Sequence, residues 1–123
     1  MVSFSQAALE AFLADSDESA FAMLNLIRFE PNGGREQYME YHKLAKPSLA
    51  RFGVKILFGG DGLPVLTAGQ TQGWDAVVCV QYPNRAAFKA MVADPDYQEA
   101  FKVGASAVAD IVLQPLKAFD GPI

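Results

Sequence analysis

Phe-Ala-Met-Leu-Asn-Leu-Ile-Arg-Phe, residues 21–29, is the stretch that decides the fold. Apolar residues occupy both its odd and its even positions, and successive side chains of a β-strand point to opposite faces. A strand of this composition buries both faces, as a central strand does. Asn25 and Arg28 interrupt the apolar run and point to opposite faces. A buried amide without partners costs about 1–3 kcal/mol, so the protein or a ligand must supply them for Asn25.

Outward from this strand, the spacing of apolar residues predicts alternating helices and strands. Helices are predicted over 3–14, over 35–52, after an Asn84 cap and after an Asp94 cap; strands are predicted over 54–58, 74–82 and 111–116. Ser3 and Ser5 are equal candidates for the first helix cap. Pro47 is expected to kink or divide its helix. The glycines of 59–62 predict a turn or bulge near a pocket rim.

The order after the first helix is strand, helix, strand, strand, helix, strand. This βαββαβ order predicts an α+β fold, an antiparallel sheet with helices on one face. Residues 1–123 are interpreted as a single domain, with an N-terminal helix and loop over 1–18 and a core over 20–117. The helices can cover only one face of a central strand that is apolar on both. A second subunit is therefore expected on the other face, which predicts a homodimer.

Composition excludes several classes of function. A net charge of −4 gives no basic surface for nucleic acid, and no apolar run reaches the roughly 20 residues that span a membrane. The N-terminus lacks the pattern of a secretory signal. The chain has one histidine, His42, and one cysteine, Cys79, too few for the His and Cys ligand sets of a zinc site, so neither metal nor cofactor is expected. Cys79 lies between valines and is interpreted as a buried, inert thiol. The absence of disulfide pairs fits a cytoplasmic protein.

Several short motifs resemble those of domain-of-unknown-function family 1330, within the dimeric α+β barrel superfamily. In order they are Met23-Leu24-Asn25-Leu26, Tyr38-x-x-Tyr41, Trp74-Asp75, Tyr82-Pro83-x-Arg85-x-x-Phe88 and Asp94-Pro95-x-Tyr97-Gln98. The resemblance runs from about Phe21 to Leu116 and implies a ferredoxin-like barrel protomer that dimerises. The superfamily includes cofactor-independent oxygenases and small-molecule isomerases, whose pockets lie between sheet and helices. For chemistry, this is an analogy of fold.

Three residues are candidates for catalysis: Asn25, Asp75 and His42. Asn25 could orient a substrate carbonyl or an oxygen species, or it could only bond a neighbouring strand or a buried water. Asp75 could act as a general base if burial raised its pKa, and otherwise it would bond turn amides. His42 is the default acid–base group, but its position on the flank of the helix stripe favours partial exposure without a catalytic role.

The candidate ligand-binding residues are Asn25, Arg28, Tyr41, Trp74 and Tyr97. Arg28 could bind a carboxylate, although an ion pair with a surface acid is favoured. Trp74 is more typical of a core residue than of a cofactor platform. Tyr41 and Tyr97 could point their hydroxyls into a pocket, and each also fits the apolar stripe of its helix.

The sequence therefore favours a homodimer that binds a small acidic or aromatic molecule in a pocket between sheet and helices. The protein could be a cofactor-independent enzyme, oxygenase- or isomerase-like. The alternative is a non-catalytic module that binds a ligand or a partner. An enzyme is expected to place Asn25, Asp75 and a tyrosine around one cavity, whereas a binding module should show an apolar cavity without a perturbed titratable group.

Overall fold

A computed structural model describes residues 3–69 and 72–122. In chain order its elements are α1 (Gln6–Ala14), β1 (Phe21–Phe29), α2 (Gly34–Arg51), β2 (Lys55–Asp61), β3 (Ala76–Tyr82), α3 (Arg85–Ala93), α4 (Pro95–Ala107) and β4 (Val108–Leu116). The strands form one antiparallel sheet in the order β2-β3-β1-β4. The predicted α+β class and the order of strands are thus confirmed. In the described residues, no helix has both the length and the apolar character needed to cross a membrane.

β1 lies at the centre of the sheet, as its two-sided apolar pattern predicts. Asn25 pairs with Val78 of β3 on one side and with Leu113 of β4 on the other. In β1 and β3, alternate residues face the helices and are buried, from Phe21 and Met23 to Tyr82. We call this the inner face. The residues packed on it from the helices include Tyr38, Ala45, Phe88, Met91, Tyr97 and Ala100.

We call the other face of the sheet the outer face, and none of the helices in the described residues packs on it. Its apolar residues follow from the strand register: Leu24, Leu26, Phe58, Val77, Cys79, Val112 and Leu116. Phe58 exposes 65% of its surface and Val112 exposes 38%. Cys79 is half-buried here with a free thiol, rather than enclosed as the sequence suggested.

The helix boundaries resolve two points that the sequence left open. Ser5, not Ser3, is the cap of α1, because its hydroxyl accepts a hydrogen bond from the backbone N–H of Ala8 at 3.3 Å. α2 continues through Pro47, which does not divide it. The proline is exposed while the neighbouring Ser48 and Ala45 are buried, so packing of the inner stripe holds the helix together despite the missing N–H donor.

Three strands, β2, β3 and β4, differ from their predicted limits. Gly59 and Gly60 lie within β2, and the irregularity predicted near them is a register shift between Ile56 and Phe58. β3 begins at Ala76, so Trp74 and Asp75 precede the strand. β4 begins at Val108, immediately after α4, rather than at Ile111. Periodicity alone does not fix these limits, because short strands end where their pairing partners end.

Candidate functional site

A cavity of about 350 Å³ lies between the inner face of the sheet and the helices. This volume is near the lower end of the range for small-molecule sites, about 300–1,000 Å³. Its walls are mostly apolar: Phe4, Leu9 and Phe12 from the α1 region, Met23, Val78, Val80, Ile111 and Leu113 from the sheet, and Leu49, Phe88, Val92 and Phe101 from the other helices. Among residues 3–69 and 72–122, no Asp, Glu, Lys or Arg lines it.

All four tyrosines of the chain line this cavity. Tyr38 and Tyr41 come from successive turns of α2, Tyr97 comes from α4, and Tyr82 ends β3. The hydroxyls of Tyr41 and Tyr97 lie 2.8 Å apart and share a hydrogen bond. Tyr41 and Tyr97, both candidates from the sequence, thus meet at the cavity wall.

Burial raises the pKa of each of the four phenols. The phenol of Tyr97 further raises the pKa of Tyr38, Tyr41 and Tyr82. The hydrogen bond with Tyr41 lowers the pKa of Tyr97 and so offsets part of the effect of burial there. The phenols therefore stay protonated at neutral pH and offer O–H donors, not phenolates.

Asn25 lies on the inner face of β1 and lines the cavity. Its Nδ2 donates to the carbonyl oxygens of Met23 at 3.2 Å and of Val78 at 3.1 Å. The amide nitrogen therefore bonds the sheet backbone, while the residue itself forms part of the cavity wall.

His42 also lines the cavity, on the flank of α2. Its ring stands edge-on to the ring of Tyr38, with centroids 4.7 Å apart. Burial lowers the pKa of His42 from its ordinary value of 6.5, so the imidazole is neutral at pH 7. It is half-buried, and it is the one histidine among the described residues that line the cavity.

Three of the sequence candidates lie outside the cavity. The guanidinium carbon of Arg28 stands 3.8 Å from the ring centroid of Trp74, and Arg28 Nη1 lies 3.4 Å from Asp110 Oδ2. Asp75 is exposed, and its Oδ2 accepts a hydrogen bond from the backbone N–H of Phe29 at 2.9 Å. The structure thus separates Arg28, Trp74 and Asp75 from Asn25, His42 and the tyrosines.

Helix α1 forms one wall of the cavity and is attached to the core by Arg85. Arg85 Nε donates to the carbonyl oxygen of Phe12 at 3.0 Å, and Nη1 donates to that of Asp17 at 2.8 Å. The guanidinium also stacks on the Phe12 ring, 4.5 Å from its centroid. No residue of α1 is fully buried, and the bonds from Arg85 add to the packing of Leu9, Phe12 and Leu13 against the core.

Metal chemistry gains no support from the described residues, among which no group of three or more His, Cys, Asp or Glu side chains could hold an ion. The expectation of a protein without metal stays a prediction.

Sequence reasoning missed Tyr38 and Tyr82 as cavity residues. The sequence motifs contain both residues, which are buried at 4% and 5% exposure. The signal that could have found them is the phenol itself, because a buried hydroxyl needs a hydrogen-bond partner.

Comparison with known families gives one match. The model of the family described as "Domain of unknown function (DUF1330)" matches residues 31–114. Among the curated proteins, none matches this chain.

Solved structures give a consistent picture of the fold. A protein of unknown function from Rhodopseudomonas palustris is 32% identical, with a TM-score of 0.89 and 98% of each chain covered. A protein from Jannaschia sp. CCS1, described as a dimeric ferredoxin-like protein of unknown function, is 19% identical with a TM-score of 0.61, covering 81% of this chain and 100% of that one. A putative antibiotic biosynthesis monooxygenase from Bacteroides thetaiotaomicron is 17% identical with a TM-score of 0.55, covering 83% and 90%. At these identities the last two show the ferredoxin-like fold alone.

Proposed function

The chain belongs to family DUF1330, as its motifs indicated, and because that family's description names no reaction, we propose from the cavity itself that this protein binds a small, uncharged, largely apolar compound. The observation that carries the proposal is the cavity of about 350 Å³, which has apolar walls and protonated phenols. None of the described residues that line it has a charged side chain. Both α1 and the sheet build this cavity, which supports treating the chain as one domain.

The absence of charge in the walls narrows the class of ligand. Moving an ion from water into such a cavity costs several kcal/mol unless an opposite charge meets it. His42 does not supply that charge, because burial lowers its pKa and keeps it neutral at pH 7. Of the two classes that the sequence allowed, acidic and aromatic, the cavity favours the aromatic one. Aromatic walls such as Phe12, Phe88 and Phe101 also suit a flat ring.

Binding can be tested with naphthalene, 2-naphthol and 2-naphthoate by calorimetry and thermal melts. The uncharged compounds are expected to bind and to raise the melting temperature, and the carboxylate is not. Ala105→Phe fills the cavity from α4 and should abolish binding, whereas Ala86→Phe, at an exposed site on α3, should not. Binding of the carboxylate alone, or of no compound, contradicts the proposal.

We also propose that the outer face is covered by a second copy of this chain. Leu24, Leu26, Val77 and Val112 form a continuous apolar surface there, and burying such surface contributes about 25 cal/mol per Å². The Jannaschia protein, whose description calls it dimeric, has the same fold.

Light scattering with size exclusion should give twice the 13.3 kDa chain mass at micromolar concentration. Val112→Lys should shift the protein to monomer, because Val112 lies on the outer face and is exposed in the protomer. Ala86→Lys, on the helical side, should leave the dimer intact. A monomeric wild type contradicts this proposal without touching the one on ligand binding.

A second candidate function is a cofactor-independent enzyme, oxygenase- or isomerase-like. The observation that favours it is the neutral imidazole of His42 in the same cavity, since such a base can accept a proton from a bound ligand. The monooxygenase description of the Bacteroides protein agrees, by fold only. Oxygen uptake and product mass, measured with 2-naphthol for wild type and His42→Gln, test it. Binding without turnover leaves the alternative of a non-catalytic module.

A further inference from the structure

The hydrogen bonds of Asn25 restrict what its ligand can be. An amide NH₂ group has two protons, and both are used by the carbonyl oxygens of Met23 and Val78. These bonds also fix the orientation of the amide, because the reverse orientation would place Oδ1 against two carbonyl oxygens. The sequence left open that Asn25 orients a substrate carbonyl, but with both protons used its amide has none left to donate to one. It offers only the acceptor Oδ1.

That acceptor is open to the cavity. In the described residues no hydrogen bond reaches Asn25 Oδ1, and no buried polar side-chain atom there lacks a partner. Oδ1 must therefore be accessible, and Asn25 is one of the cavity-lining residues. A ligand that seals the cavity without a donor would leave this oxygen unpaired, which costs about 1–3 kcal/mol.

The pair of Tyr41 and Tyr97 supplies a hydrogen-bond donor to the cavity. The hydroxyls of Tyr41 and Tyr97 carry two protons, and the bond between them uses one. The other O–H has no acceptor among the described side chains, so it is available to the ligand. The cavity thus presents an acceptor at Asn25 and a donor at the tyrosine pair.

We infer that the ligand is an uncharged aromatic compound with a ring hydroxyl, which donates its O–H to Asn25 Oδ1. This rests on the proposed function and adds the polar group that selects among apolar ligands. A hydroxyl fits because its O–H can donate to Asn25 Oδ1 and the group brings no charge. An indole-type N–H donates only, a ketone accepts only, and an ammonium group would bring a charge that the walls do not match.

The test compares 2-naphthol with 2-fluoronaphthalene, which has a similar shape and no donor, by calorimetry on the wild-type protein. We expect 2-naphthol to bind roughly 5- to 10-fold more tightly, the ratio that one neutral hydrogen bond gives. In Asn25→Ala this ratio should fall to about one. In Gln98→Ala, which also loses an amide bonded to a backbone carbonyl but lies outside the cavity, the ratio should not change.

The possible results separate the two proposals. Equal binding of both compounds to wild type overturns the inference and leaves the proposed function standing. An unchanged preference for 2-naphthol in Asn25→Ala also overturns it, because another group then recognises the hydroxyl. No saturable binding of either compound overturns the proposed function and the inference together. If Asn25→Ala does not fold, the wild-type ratio alone decides, with a ratio near one counting against the inference.

Discussion

Gly104 of α4 leaves the space in which the ring of Tyr41 lies. A Cβ at Gly104 would stand 2.8 Å from Cδ1 and 2.9 Å from Cγ of Tyr41, closer than carbon atoms approach without displacement. These ring atoms are near the base of the side chain, so the ring cannot turn away cheaply. The absence of one methyl group on α4 thus allows the Tyr41 hydroxyl to reach Tyr97.

Gly104→Ala is therefore expected to destabilise the protein, although alanine is the better helix residue by about 1 kcal/mol. The clash should displace Tyr41 and lower the free energy of unfolding by about 1–3 kcal/mol, measured by denaturant titration. In a Tyr41→Ala background the same change should be neutral or stabilising. A loss of equal size in both backgrounds would show that the ring is not the cause.

The hydrogen bond between Tyr41 and Tyr97 should show a strong non-additivity. Each single change to Phe leaves a buried hydroxyl without its partner and is expected to cost about 1–3 kcal/mol. The double variant Tyr41→Phe/Tyr97→Phe removes both hydroxyls and should lie close to wild type. Chemical denaturation of the four proteins measures the coupling, and additive losses would mean that the bond is absent in solution.

Arg85 is expected to control how firmly α1 stays on the core. Arg85→Met keeps most of the apolar stem but removes the bonds to the carbonyl oxygens of Phe12 and Asp17. Hydrogen exchange in α1 should accelerate by roughly tenfold or more, because bonds from a charged donor contribute about 1.5–3 kcal/mol. Exchange in β1 should change far less.

Arg51→Met is the matched control, because Arg51 forms ion pairs with Asp94 and Asp96 at the exposed end of α2, and none of its ion pairs in the described residues reaches α1. Its effect on α1 should be negligible. If both variants leave exchange in α1 unchanged, the attachment through Arg85 is not what holds the helix.

His42 should make stability depend on pH in a defined window. Its folded-state pKa lies below the ordinary value of 6.5, so above pH 6.5 the imidazole is neutral in both states and its contribution is complete. As the pH falls below 6.5, the unfolded chain binds the proton first, and stability declines until the folded-state pKa is passed. Asp17 and Asp61, whose pKa values are lowered from 3.8, act only at lower pH.

Thermal melts between pH 8 and pH 5 check this prediction. The decline should be present in wild type and absent in His42→Gln. A decline of the same size in the variant would assign the effect to other groups.

The alternation of apolar residues was enough to predict the central strand and to place Asn25 and Arg28 on opposite faces of it. It could not place Trp74 and Asp75, because they precede β3 and their position depends on backbone bonds between strands, such as that from Asp75 N to Ile27 O. Strand periodicity assigns a residue to a face only within the strand.

Tyr38 and Tyr82 mark the other limit of sequence reasoning. A tyrosine whose hydroxyl lies in the packed core and one whose hydroxyl lies in a cavity occupy the same position in the periodic pattern of apolar residues. The difference depends on whether neighbouring elements leave a void, and here part of the wall of that void comes from α1, which is far from both tyrosines in the chain. Only the tertiary arrangement contains that information.

Helix α1 lies before the part of the chain that the family model matches. The family match begins at residue 31, yet Phe4, Leu9 and Phe12 form part of the cavity wall. The central strand β1 and part of the cavity wall thus both lie before the residues that the family model matches. If the proposed binding holds, we expect substitutions before residue 15 to change which ligands the cavity accepts while the sheet and its register stay as they are.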